Sequence, residues 1–336
     1  MQKLIDLAHI RKTSRKIRGI VKKTPLLESL NYSQKYNSKI FFKREDLQIV
    51  KSFKIRGAYT KILSLDKMKA KNGLVCASAG NHAQGFAVSC SLLDYNGIVF
   101  MPKTTPSLKV KLVKKFAGKN VKIELTGENF SEAYKSATDY CTKNRKTFIH
   151  PFDDIKIIEG QATLFLEVIE QIKNPIDYIF IPIGGGGLIS GAINVFKQLS
   201  PKTKIIGIEP AGAPSMKKSI IKNKIIKLDK IDNFVDGAAV HKIGNIPFEF
   251  CKDYLDDLLV IDEGEICQSI LDLSLNEKIT AEPAGAMSSA ALRKYKNKIV
   301  EKNVVCIICG GNNDESRMKE ISKRAINWKN LYSIIE

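Results

Sequence analysis

The sequence lacks any long apolar run. No stretch approaches the roughly 20 consecutive apolar residues that a transmembrane helix needs, and residues 1–19 lack the continuous apolar core of a signal peptide. We therefore expect no membrane partner. Acidic residues are also scarce, with 35 against 54 lysines and arginines and a formal net charge of +19. The sequence predicts a basic protein of the cytoplasm.

The cysteines form no disulfide framework. There are seven, an odd number without regular spacing, which is typical of a reducing compartment. Cys306 and Cys309 have the spacing of a redox or zinc pair, but they lie in KNVVCIICGG, which predicts a buried strand. Residues three apart on a strand point to opposite faces. We therefore reject a metal site there.

Aromatic residues make up only 8% of the chain and are not interleaved with its basic residues. Proteins that bind single-stranded nucleic acid stack bases on aromatic side chains. The basic residues are instead spread along the whole chain, and lysine far outnumbers arginine. The composition therefore does not favour a nucleic-acid partner.

The pattern that is present is an alternation of strands and helices, which predicts an α/β fold with parallel pairing through right-handed crossovers. After a basic helix over 3–22, strands are predicted at 39–44, 73–78, 96–102, 121–127, 147–152, 176–183, 204–210 and 304–311. Helices are predicted at 55–65, 84–93, 107–117, 130–143, 160–173 and 188–199, with a last helix at 285–295. Residues 219–240 show no regular pattern.

One lysine lies among apolar neighbours. Lys54 is flanked by Phe53 and Ile55, and the cations Lys51 and Arg56 are close in sequence. Apolar walls and nearby cations both lower the pKa of a lysine amine and make it a nucleophile that condenses with aldehydes. Taken alone, a solvated surface lysine is the more common interpretation.

Three glycine-rich loops each follow a predicted strand, where ligands bind in open parallel sheets. Gly184, Gly185, Gly186 and Gly187 open a helix at Leu188 and could hold a phosphate on backbone amides. They do not match the G-x-G-x-x-G dinucleotide spacing, and Glu209 is the nearest candidate for a ribose ligand. A tight turn remains the alternative.

The second loop carries Ser78, Asn81 and His82 at the start of another helix, a donor set that suits a carboxylate. An ordinary helix cap is the structural alternative. The third loop begins with Cys309, whose thiol would stay neutral and inert if buried.

Together these segments resemble the fold-type II pyridoxal-phosphate (PLP) enzymes, and most closely the threonine dehydratases. The resemblance covers about residues 17–327. It depends on six motifs in the family's order, namely Lys43-x-Glu45-x-x-Gln48 with SFKxRGA at 52–58, SAGNHAQG, GGGGL, FVDGAA at 234–239, AEPAGA at 281–286, and CGGNND. The resemblance implies two three-layer parallel-sheet domains. The large cofactor-binding domain would comprise 1–66 and 151–327, the small mobile domain 67–150, and 328–336 a C-terminal tail.

The resemblance also implies a role for each residue. Lys54 would hold the PLP aldehyde as a Schiff base and, once displaced by the substrate amine, remove the α-proton. Phe53 would lie against one face of the ring and Gly237 near the other, with Asn81 bonded to the ring hydroxyl and Cys309 at the pyridine nitrogen. The phosphate would lie on Gly184, Gly185, Gly186, Gly187 and Leu188. Ser78, Asn81 and His82 would receive the substrate carboxylate.

The sequence departs from its relatives at informative positions. Cys309 stands where close relatives more often have serine, and either neutral group favours elimination over transamination because it cannot keep the ring nitrogen protonated. The family's proton donor to the departing hydroxide is the cofactor phosphate. Serine racemases use a serine as second base where this chain has Ala79. Ser215 stands where some relatives have a carboxylate that binds a divalent cation together with the residue at Glu209, so no metal is expected.

The implied function is a PLP-dependent threonine ammonia-lyase that converts L-threonine to 2-oxobutanoate and ammonia, also acts on L-serine, and belongs to isoleucine biosynthesis. Because the chain stops about where a regulatory domain would start, we expect an enzyme without isoleucine feedback. A serine racemase, a dehydratase of another β-hydroxy amino acid and a basic binding protein remain alternatives. A homodimer or homotetramer is expected by resemblance only.

Overall fold

The computed structural model describes residues 2–332. In this range the chain forms two sheets, and their strands are β1 Leu26–Glu28, β2 Lys39–Arg44, β3 Leu74–Ala77, β4 Gly97–Met101, β5 Val121–Leu125, β6 Thr147–Phe148, β7 Tyr178–Pro182, β8 Lys204–Pro210, β9 Asp257–Ile261 and β10 Asn303–Ile308. The large sheet has the order β1-β2-β10-β7-β8-β9, and the small sheet has the order β5-β4-β3-β6.

The helices surround these sheets. They are α1 Leu7–Ile17, α2 Leu30–Tyr36, α3 Lys54–Leu63, α4 Lys67–Lys71, α5 Asn81–Leu93, α6 Ser107–Ala117, α7 Phe130–Lys143, α8 Ile155–Gln171, α9 Gly187–Leu199, α10 Ser215–Ile221, α11 Asn245–Tyr254, α12 Glu263–Glu277, α13 Pro283–Tyr295 and α14 Met318–Tyr332. In the large sheet α13 packs against β7 and β10 while α9 packs against β7 and β8. The small sheet lies between α7 and the pair α5 and α6.

The alternation of side chains along β3 explains why the small sheet has a hydrophobic core on each of its two faces. Leu74 and Cys76 of β3 point to the α5 side, whereas Val75 and Ala77 point to the α7 side, and all four are fully buried. Successive strand residues face opposite sides, so a continuous apolar strand is covered by helices on both faces. The predicted α/β fold with two three-layer sheets is confirmed.

Several details differ from the sequence prediction. The edge strand β1 pairs antiparallel with β2, although every other ladder is parallel. The first helix is shorter than 3–22, because Arg18 leaves the helical conformation. Residues 241–284, which had no predicted element, contain α11, β9 and α12. The helix at 285–295 is not the last one, since α14 follows and packs on α12, and the boundary predicted at 327/328 falls inside it.

A buried ion network fixes α3 between the sheets. The Arg56 guanidinium donates to both carboxylate oxygens of Glu45, at 2.8 Å each, and to both of Glu167, at 2.7 and 2.9 Å. Lys43 adds a 2.7 Å bond to Glu167. Because Glu45 follows β2 and Glu167 belongs to α8, the network ties α3 to the end of β2 on one side and to α8 on the other.

We expect Arg56→Met to lower the free energy of unfolding by about 3–5 kcal/mol, because two buried carboxylates would lose their shared partner. Chemical denaturation followed by circular dichroism measures this change. Lys135→Ala, which removes an exposed ion pair with Asp139, should leave the denaturation midpoint almost unchanged. Equal midpoints for the two variants would contradict the role given to the network.

Candidate active site

Lys54 is the first residue of α3, and the chain just before it is fixed to the segment that follows β10. The Phe53 amide donates to the Cys309 carbonyl at 3.1 Å. The Lys54 amine lies 5.1 Å from the centroid of the Phe53 ring and donates to the Pro151 carbonyl at 3.1 Å. The amine is therefore held at the point where α3, the end of the large sheet and the chain returning from the small sheet meet.

Burial lowers the pKa of Lys54 to about 8, against the opposing electrostatic attraction of Cys309 and Glu282. The predicted direction is correct, but the predicted contribution of cations is wrong. Arg56 is neutralised by its two carboxylates, and Lys51 is exposed. Removal from water is the physical cause, since it penalises the ammonium form.

The four-glycine turn has the geometry of an anion cradle. Within residues 2–332, no protein group accepts a hydrogen bond from the backbone amides of 184–188, and these amides precede and begin the helix α9. Gly186 has a φ of +93°, which few other residues adopt. These are the features of a phosphate site at a helix N-terminus.

The segment 151–152 contacts both the Lys54 amine and the glycine turn. A Cβ atom on Gly185 would stand 2.2 Å from the ring of Phe152, and Pro151 is the acceptor of the Lys54 amine. One short segment therefore contacts both features. An aldehyde at the amine and a phosphate on the glycine turn would both lie beside this segment.

His150 fixes this segment, and the sequence analysis gave it no role. Its Nδ1 accepts from the amides of Phe152 and Asp153, at 3.2 and 2.7 Å. Burial lowers the pKa of His150 to about 4, so the ring stays neutral and able to accept. In the sequence, the only indication of this role was that His150 lies near the end of the predicted strand 147–152.

Asn81 is oriented by two neighbours. Its amide nitrogen donates to Glu282 at 2.6 Å, and its amide oxygen accepts from Asn312 at 2.7 Å. Burial, reinforced by the charge of Asp236, raises the pKa of Glu282 to about 7, while the bond from Asn81 opposes this rise. Glu282 was part of a recognised motif but was not assigned as a site residue.

Cys309 and Gly237 lie beside this cluster. Cys309 is buried, and desolvation together with the charge of Glu282 raises the pKa of its thiol, which stays neutral. A Cβ atom on Gly237 would stand 2.9 Å from the Cβ of Ala284 and 3.4 Å from Glu282. A Cβ atom on Gly184 would likewise stand 3.0 Å from the Cα of the next residue, Ala238. A side chain on Gly237 would therefore collide with Ala284.

The polar side chains at the start of α5 make contacts within the protein. The His82 Nε2 lies 2.9 Å from the Ile149 carbonyl, and burial together with the charge of Lys54 lowers the pKa of His82 to about 3. The Ser78 hydroxyl accepts from the Gly80 amide at 3.2 Å. The backbone amides of Asn81 and His82 have no acceptor among the described residues. A carboxylate would thus meet backbone amides rather than the imidazole.

Glu209 caps a neighbouring helix. Its carboxylate accepts from the amides of Met216 and Lys217, at 2.6 and 2.8 Å, and lies 3.5 Å from the Ser215 hydroxyl. Burial raises the pKa of Glu209 to about 7. Its oxygens are therefore already used by protein donors.

Two parallel α/β sheets that bring a desolvated lysine to a glycine anion cradle define a class of enzymes that bind an aldehyde cofactor through its phosphate. Residues 17–310 match the family model described as "Pyridoxal-phosphate dependent enzyme". The chain belongs to this family, and PLP is its cofactor. The cofactor prediction is confirmed.

Curated relatives are similar over most of the chain. The protein named L-threonine dehydratase biosynthetic IlvA from Halalkalibacterium halodurans is 50% identical over 322 residues, which cover 95% of this chain and 78% of the relative. The protein of the same name from Bacillus subtilis is 47% identical over 328 residues, covering 98% of this chain and 78% of the relative.

Solved structures of the same fold also match. The processed form of threonine deaminase isoform 2 from Solanum lycopersicum superimposes with a TM-score of 0.90 at 35% identity, covering 97% of this chain and 90% of that one. Maize serine racemase superimposes with a TM-score of 0.88 at 29% identity, covering 98% of this chain and all of that one (100%).

The lowered pKa of Lys54 predicts how the apoprotein takes up PLP. Only the neutral amine attacks an aldehyde, so the rate constant of covalent capture should rise about tenfold per pH unit. The rise should level off near pH 8, the pKa given by burial. Stopped-flow absorbance measures it, with N-acetyl-lysine methylamide as the exposed control. A rate that climbs past about pH 10, as for an ordinary lysine, would contradict the desolvation of this amine.

Proposed function

We propose that this chain is a PLP-dependent threonine ammonia-lyase that converts L-threonine to 2-oxobutanoate and ammonia and also accepts L-serine. The observation that carries the proposal is the 50% identity, over 95% of the chain, to a relative named as a biosynthetic L-threonine dehydratase. That name also supports a place in isoleucine biosynthesis. The geometry around Lys54 is consistent with an α,β-elimination.

The cofactor phosphate and the substrate carboxylate would bind at two separate groups of backbone amides. The amides of 184–188 and the N-terminus of α9 would bind the phosphate, and Lys54 would hold the aldehyde. Asn81, fixed by Glu282 and Asn312, would orient the ring hydroxyl. The amides at the start of α5 would bind the substrate carboxylate.

Lys54 is the group that would move the α-proton. Bound PLP withdraws electrons and stabilises negative charge at the substrate α-carbon. A lysine with a pKa of about 8 is partly neutral near physiological pH and can accept a proton there. Ala79, in the loop on the small-sheet side, has no group that could return a proton from the other face. This asymmetry favours elimination over racemisation.

Cys309 would influence the fate of the negative charge. A buried neutral thiol cannot keep a neighbouring ring nitrogen protonated. The ring is then a weaker electron sink, which favours prompt departure of the β-hydroxyl group. This supports a lyase rather than an aminotransferase.

The test is keto-acid release from L-threonine by the purified holoprotein. We expect 2-oxobutanoate from L-threonine and pyruvate from L-serine, with threonine preferred in kcat/KM. Lys54→Ala should reduce kcat by at least about 10³-fold, because it removes both the covalent tether and the base. Lys135→Ala, an exposed lysine on the far side of the small sheet, should retain full activity.

Three outcomes would refute the proposal. Appreciable D-serine from L-serine would indicate a racemase. Full activity of Lys54→Ala would remove that residue from the chemistry. Release of keto acid only from a different β-hydroxy amino acid would change the substrate.

We also propose that residues 1–66 and 151–327 act as the cofactor domain, that 67–150 moves relative to it, and that the protein works in the cytoplasm as a homodimer or homotetramer. Large exposed apolar side chains near the β1 edge, Leu27, Leu30, Leu47 and Ile49, support self-association. In the described residues no helix is long and apolar enough to cross a bilayer. Light scattering gives the mass in solution, and a monomer would refute the oligomer.

A further inference from the structure

A cavity lined by several lysines lies between α1, α3 and α8, away from the Lys54 amine. Its volume is about 220 Å³. The lining includes His9, Lys12, Thr13, Lys16, Thr60, Lys156 and Glu159. None of these residues has a part in the proposed reaction.

The charges at this cavity are unbalanced. Three lysines, Lys12, Lys16 and Lys156, face one carboxylate, Glu159. That carboxylate is already used, because Thr13 donates to one oxygen and Lys156 donates to the other at 2.6 Å. Lys12 and Lys16 are exposed and have no acidic partner among the described residues. Two ammonium groups are therefore available at the rim.

The lining also carries a polar group that lacks a partner. Thr60 is only 5% exposed, and its hydroxyl makes no hydrogen bond within the described residues. It lies where α3 and α8 pack closely, since a Cβ on Gly160 would approach the Thr60 hydroxyl oxygen to 2.7 Å. A buried hydroxyl without a partner is costly, and Thr60 is one of the residues that line this cavity.

We infer that this cavity binds a small anion that carries a phosphate group. Phosphate brings close to two negative charges at neutral pH and several acceptor oxygens, which match two or three ammonium groups and a hydroxyl donor. Lysines bind phosphate as flexible point charges. The ligand is either free phosphate or a small phosphomonoester.

The test is calorimetric titration of the PLP-loaded protein, so that the cradle at 184–188 is already filled. The probes are inorganic phosphate and glycerol 3-phosphate, at constant ionic strength. We expect saturable binding by the wild type. Equal affinities would indicate free phosphate as the ligand, and tighter binding of glycerol 3-phosphate would indicate a phosphomonoester.

Three variants locate the site. Lys16→Ala should weaken binding about fivefold, as expected for one charge near water. Thr60→Val should weaken it about tenfold, the effect of losing a hydrogen bond to a charged group. The thermal midpoint of Thr60→Val should not fall, because the hydroxyl has no partner in the unliganded protein. Lys135→Ala removes the same charge elsewhere and should bind as wild type.

The inference fails if the wild type shows no saturable binding in the millimolar range. It also fails if Lys16→Ala and Lys135→Ala weaken binding equally, since the effect would then come from net charge alone. Both results are independent of the substrate assay, because no keto acid is measured. A protein inactive on L-threonine can still bind phosphate at this cavity.

Discussion

The buried ion network around Arg56 is the constraint on which the site depends. A guanidinium shared by two carboxylates, without water, is stable only when all its partners are present. It holds the first turn of α3 between β2 and α8, and Lys54 is the residue at which that turn begins. The position of Lys54 is thus fixed by Arg56, Glu45 and Glu167, which have no proposed contact with a ligand. The reactive amine can be desolvated because the charge two residues away is already satisfied.

A second theme is that most titratable groups near the amine are kept uncharged. His82, His150 and Cys309 are all buried with pKa values shifted toward the neutral form. Neutral imidazoles serve as hydrogen-bonding groups with fixed roles, and a neutral thiol beside the proposed ring position would not hold the ring nitrogen in its protonated form. Charge would then be supplied by the ligands themselves, which meet backbone amides at α5 and α9. Such amides stabilise anions at all pH values, so the cradles do not titrate.

The sequence predicted the parts of the site that depend on local chemistry. Glycines that begin a helix after a strand, as at 184–187, have few structural uses, and the fold and cofactor followed from six such motifs together. It did not predict what depends on distant packing. The pKa of Lys54 was attributed to Lys51 and Arg56, although only the structure could show that Arg56 is neutralised through Glu45 and Glu167. The stretch 241–284 mixes polar and apolar residues without a clear period, because α12 is covered on two sides by α13 and α14.

The segment 150–153 has a mechanical consequence. This segment connects the small sheet to the large one. It begins two residues after β6 and ends just before α8. The acceptor of the Lys54 amine and the ring beside the glycine turn both belong to it. Any tilt of one sheet against the other therefore pulls on the atom toward which the nucleophile points. If residues 67–150 move as proposed, enclosure of a small molecule and orientation of the Lys54 amine would be one motion.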